Sequence, residues 1–113
     1  MVIAALILFL IAIVLGLNIL TSIANNKPTL KSVVFTHGLV ALAALLLLTI
    51  YMLMGHMHYL LIASILLFIL TAVGGFTLFV LDMREKQTSI LLAILHPLTA
   101  ILALIVLISY VLP

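Results

Sequence analysis

The stretch His37-Gly38-Leu39-Val40-Ala41-Leu42-Ala43-Ala44-Leu45-Leu46-Leu47-Leu48 decides how this chain folds. It returns 59 residues later as His96-Pro97-Leu98-Thr99-Ala100-Ile101-Leu102-Ala103-Leu104-Ile105-Val106-Leu107. Both copies read His, then Leu two residues on, Ala at four and seven, and Leu at eight and eleven. An apolar run this continuous belongs to a helix inside a bilayer, and an ionisable ring at that depth is costly enough to carry function by default. Ala41 and Ala44, like Ala100 and Ala103, fall on the face of their own histidine. Each ring therefore looks along a groove of small side chains, which suits a bulky guest better than tight helix packing.

The rest of the chain agrees with that reading. Of 113 residues, 69% are hydrophobic and 5% charged. A hydrocarbon core of about 30 Å takes about 20 helical residues to cross. Four such runs fit, with only short connections between them. The expected fold is all-α, a four-helix up-down transmembrane bundle forming one domain over 1–113. Cysteine is absent, which removes disulfides, thiolate metal sites and iron–sulfur clusters. The net charge of +2 and the lack of a basic patch interleaved with aromatics argue against nucleic acid. Membrane lipid is the expected surrounding, and homo-oligomerisation stays open.

The first helix spans about Val2 to Ala24, and Asn25-Asn26-Lys27-Pro28 breaks it. Thr29 is the expected N-cap of a second helix reaching about Met54. Gly55-His56-Met57-His58 makes the next turn, and a third helix runs to about Leu81. After the aqueous stretch Asp82–Gln87, Thr88 is the expected cap of a fourth helix that can bend at Pro97. Lys27, Lys31, Arg84 and Lys86 all lie in or beside the first and third connections, on one side of the membrane. The positive-inside rule makes that side cytoplasmic and sends both termini and the His56 turn outward. The expected setting is a multi-pass protein of a bacterial inner membrane.

A shift of 59 aligns 1–54 with 60–113 without a gap and makes 16 positions identical. Matches among common apolar types decide little. Phe9/Phe68, Gly16/Gly75, Lys27/Lys86, Thr29/Thr88, His37/His96 and Tyr51/Tyr110 decide more, because break, cap, histidine and interface tyrosine recur in phase. The chain reads as a duplicated two-helix hairpin. Each repeat has an even number of spans, so the pseudo-two-fold axis runs along the membrane normal. The second and fourth helices then stand on one diagonal, with their histidines facing. Counting along the helices at about 1.5 Å per residue brings Gly16 and Gly75, on the other diagonal, to about the same depth.

Two axial nitrogens from opposite sides are what haem iron takes, and glycines on the other diagonal let backbone approach a macrocycle's edges. The candidate cofactor is a single bis-histidine haem b. His37 and His96 are its expected iron ligands, Gly16, Gly75, Ala41 and Ala100 line its space, and the nearby lysines and arginine neutralise its propionates. A carbonyl freed by Pro97 is a candidate orienter for His96, and the sequence names none for His37. The bland alternative is a hydrogen-bonded histidine pair holding helices together. Asn18 and Thr77 lie about 200° around from Gly16 and Gly75 at about 100° per residue, which marks a helix or subunit contact. His56 and His58 have no repeat partners and read as solvated turn residues, and Asp82 and Glu85 as loop and helix-end charges.

Four membrane helices with His37 and His96 on parallel diagonal helices, and Gly16 and Gly75 on the other two, resemble the bis-histidine b-type cytochromes. These include the haem-binding bundle of quinol-oxidising cytochrome b and the smaller cytochrome b561-like proteins. The resemblance covers the whole chain as architecture and rests on few residues. It implies axial ligation by His37 and His96 and electron transfer linked to quinol or an oxygen species, with a quinone or a redox protein as partner. The family usually carries two haems, whereas this chain offers one pair of buried histidines. Two other readings stand beside it: a small dimeric transporter coupled to protons through the histidines, and a structural or assembly subunit of a membrane complex. The transporter reading lacks the membrane-embedded Glu that class carries in its first helix.

Overall fold

A computed structural model describes all 113 residues. Four helices account for nearly the whole chain: α1 (Val2–Ala24), α2 (Lys31–Leu53), α3 (Tyr59–Met83) and α4 (Ile90–Val111). All four are long and apolar enough to cross a membrane, so the chain is a multi-pass membrane protein. Of 92 backbone hydrogen bonds, 77 lie within the helices, which leaves little main-chain polarity for lipid to meet. The bundle is 43 Å long, close to the about 40–45 Å of a bilayer with its headgroup regions.

Within each hairpin, α1 against α2 and α3 against α4, the helices pack closely, and the hairpins meet each other more sparingly through α2–α3 and α1–α4. The α1–α3 and α2–α4 pairs are the diagonals. Across one diagonal Phe9 stacks on Phe68, with centroids 3.8 Å apart and planes 3° from parallel. Across the other stand His37 with His96 and Tyr51 with Tyr110. Each of these residues meets its own counterpart 59 positions away.

The ends of α1 and α3 repeat just as closely. Asn26 and Glu85 both take φ of 55°. Lys27 N–H donates to Ser22 C=O and Asn26 N–H to Ile23 C=O; 59 residues on, Lys86 donates to Leu81 and Glu85 to Asp82. These are paired Schellman closures, which satisfy the last carbonyls of each helix where it leaves the membrane.

The helix starts differ from expectation. α2 begins behind Leu30, which offers no capping side chain, and Ser89, not Thr88, caps α4 by accepting from Leu92 N–H at 3.4 Å. Thr29 is drawn elsewhere. Its hydroxyl donates to the Asp82 carboxylate at 2.9 and 3.1 Å, and Lys31 Nζ reaches the same group at 2.6 Å. A charge-assisted bond at the membrane boundary outweighs a neutral cap. Asp82 therefore lies in the last turn of α3 and ties the two hairpins together.

Candidate functional site

The packed core is one-sided. Phe9, Ala44, Leu48, Leu61, Ile65, Phe68, Ala103, Leu104 and Leu107 form it together with Ala5. All lie on the tyrosine side of the histidines, and Ala93 alone is buried toward the basic loops. Tight packing thus stops at the level of His37 and His96. Below that level the sequence supplies Val33 and Val34 on α2, which remain half-buried.

The histidine rings face each other with centroids 6.2 Å apart and planes at 82°. They make no hydrogen bond to one another. Instead His37 Nδ1 lies 2.8 Å from the Ala12 carbonyl and His96 Nδ1 lies 3.0 Å from the Thr71 carbonyl. Ala12 and Thr71 are repeat counterparts, so one device is used twice. A carbonyl can only accept, so each Nδ1 carries the proton and donates. In the neutral rings the lone pair then sits on Nε2. Neither Nε2 has a hydrogen-bond partner in the protein. Two free imidazole lone pairs thus occupy one level of the bundle.

These orienters replace the expected one. Pro97 sits inside an unbroken α4, yet the carbonyl that fixes His96 comes from Thr71 on the neighbouring helix. The same arrangement supplies the orienter for His37 that the sequence did not name. Thr71 is further held by its hydroxyl, which donates to Leu67 C=O at 2.9 Å and lies 2.9 Å from the Thr99 hydroxyl; Thr99 in turn donates to the His96 carbonyl.

Gly16 and Gly75 bear on the site through the imidazoles themselves. A Cβ at Gly16 would lie 3.1 Å from His37 Cε1, and one at Gly75 only 2.7 Å from His96 Cε1. Gly74 is looser, 3.9 Å from His96 Nδ1, so Gly75 is the member of that pair against the ring. Glycine lets the ring slide close enough to reach a carbonyl one turn away on the same helix. Ala41 and Ala100 are half-buried one turn beyond their histidines, in matching places.

At the basic end a cleft of about 460 Å³ opens between the two turns. Lys27 and Lys86, Thr29 and Thr88 line it as repeat pairs, joined by Asn26, Gln87 and Asp82. Lys31 is turned onto Asp82, which leaves Lys27 and Lys86 as the cleft's lysines without an ion-pair partner.

His56 and His58 are exposed, as expected of a turn, but both have structural work. His56 Nδ1 meets Tyr51 C=O at 2.9 Å and its ring stacks on Tyr51, while His58 Nδ1 accepts from Leu60 N–H and caps α3. No cluster of three or more His, Cys, Asp or Glu side chains able to hold a metal ion occurs. The site is therefore a symmetric pair of imidazole donors in a membrane bundle. Comparison with protein-family models, curated proteins and solved structures finds no match.

Proposed function

We propose that the chain is a small membrane b-type haem protein that transfers electrons, with His37 and His96 as the two axial ligands of one haem. The observation that carries this reading is the facing pair of imidazoles with protonated Nδ1 and free Nε2. His37 and His96 would hold the group through Nε2, the nitrogen each neutral ring has free to offer. The two rings are 6.2 Å apart. A carbonyl on the far nitrogen is the usual support of a metal-bound imidazole, fixing its tautomer and raising its basicity.

The surroundings support the same reading. The stacked Phe9–Phe68 pair lies seven residues, or about 10 Å, from the glycine level and closes the space on the tyrosine side. Lys27 and Lys86 at the basic cleft are placed to meet carboxylates entering between the hairpins. When bound, haem supplies a one-electron couple. The chain's part is to hold both imidazoles at fixed orientation and to set carboxylate-binding lysines at one mouth only. With the site nearer the basic end, a redox partner meets it from that side. We assign that side to the cytoplasm and both termini to the outside, on the one-sided lysines and arginine.

Absorption spectra of the purified protein, oxidised and reduced, test this directly. The expected result is a low-spin haem spectrum that His37→Ala or His96→Ala converts to a high-spin or empty form, while His56→Ala and His58→Ala leave it unchanged. Colourless protein after expression with ample haem, or both axial variants keeping the parental spectrum at full occupancy, overturns the reading.

A further inference from the structure

Asn18 is the anomaly of the lipid-facing surface. It lies six residues before the end of α1, about 9 Å inside the span, and it is exposed. The exposed hydroxyls of Thr21, Thr36, Thr77 and Ser109 each turn back onto a carbonyl of their own helix. The Asn18 carboxamide does not, and it finds no partner in the chain; the Ser22 hydroxyl meets only the Asn18 backbone carbonyl. An amide facing hydrocarbon with its donors and acceptor unmet is unfavourable.

The face around it is shaped for another helix. Ile7, Ile11 and Val14 lie within about 40° of Asn18 at about 100° per residue. With Leu10 and Leu15 they line a shallow, wholly apolar groove of about 320 Å³ along α1. It points away from Gly16 and the histidines, so occupation of it leaves the central site intact.

We propose that this face of α1 is a homodimer interface in which Asn18 pairs with Asn18 of a second copy. Three features select a second copy as the occupant. A carboxamide both donates and accepts, so it is complementary to itself across a two-fold, the symmetry of a closed isologous dimer. The groove and the amide share one face, so packing and hydrogen bonding act together. The repeat counterpart of Asn18 is Thr77, whose hydroxyl is satisfied by Val73 C=O at 3.0 Å. The internal duplication would otherwise offer two equivalent faces and an open chain of subunits. The difference at 18 and 77 singles out α1 and closes the assembly at two.

The chain has no cysteine, so a single introduced one reports unambiguously. In lipid bilayers the expected result is a dimer by single-molecule counting, with the Asn18→Cys variant crosslinking to a covalent dimer under copper phenanthroline and Thr77→Cys not. Asn18→Leu is expected to weaken association about three- to thirtyfold, the range of one interhelical hydrogen bond, and Asn18→Gln to restore most of it. Monomeric wild type, equal crosslinking from Thr77→Cys, or crosslinking of Asn18→Cys only to a different protein in native membranes overturns the proposal. Since Asn18→Leu leaves His37 and His96 in place, an absorption spectrum of that variant separates this question from the haem reading.

Discussion

The hydroxyls of Tyr51 and Tyr110 lie 3.1 Å apart at the end of the bundle remote from the lysines. They are repeat counterparts, and one proton between two oxygens is shared asymmetrically even though the helices are related by symmetry. Tyr51→Phe and Tyr110→Phe should each cost about 0.5–1.5 kcal/mol, measured by reversible unfolding in detergent. The double variant should cost no more than the worse single one, because there is only one bond to lose. Fully additive losses would mean that the contact contributes nothing to stability.

Adding a methyl group at the two glycines should have unequal effects. The Cβ of Gly75→Ala would meet His96 at 2.7 Å, against 3.1 Å for Gly16→Ala and His37. The first must push the ring off the Thr71 carbonyl, the second can be absorbed by a small shift. Gly75→Ala should cost about 1–3 kcal/mol and Gly16→Ala less, read as unfolding midpoints. The reverse ranking would contradict the ring placement.

Glu85 holds a left-handed backbone that glycine takes without penalty. Glu85→Gly should stabilise the chain by about 1 kcal/mol, and Asn26→Gly, starting from a residue that already tolerates the region, by less. Thermal unfolding of the two variants side by side checks this. A destabilised Glu85→Gly protein would show that the Glu85 side chain matters more than its backbone.

The Lys31–Asp82 contact should matter little on its own. With the lysine side chain 46% exposed and the carboxylate 23%, solvent screens the pair, and Lys31→Ala should cost less than about 1 kcal/mol. Asp82→Ala should cost more, since it also strands the Thr29 hydroxyl. Salt should weaken the first effect and leave most of the second.

Reporter fusions after Pro113 and within the Asp82–Gln87 stretch should give opposite results, with the internal loop reporting cytoplasm. A C-terminal fusion active only in the cytoplasm, and found active, would reverse the orientation.

The helices, their order and their diagonal arrangement were legible because a gapless repeat converts sequence offset into spatial symmetry. His37 facing His96 follows from that alone. What holds the rings was not legible. Ala12 and Thr71 act through carbonyls, which every residue has, and their choice depends on how far each helix turns beneath its glycine. A clue existed in the spacing, since both bonds join residues 25 apart around a turn. Thr29 and Thr88 looked like equivalent caps, but Asp82 stands where the first repeat has Ile23, and one unmatched carboxylate redirected Thr29. The symmetry was a guide to which residues face each other, and not to the backbone groups and caps that hold them.

The axial two-fold has a consequence for anything flat and asymmetric that sits on it. Such a guest can enter facing His37 or, turned over, facing His96. Both orientations present the same nitrogen, the same carbonyl support and the same glycine. Only differences between a residue and its counterpart, such as Ala12 against Thr71 or Val40 against Thr99, distinguish them. Two bound forms of nearly equal free energy would coexist, and they would be seen as doubled resonances from a single pure sample.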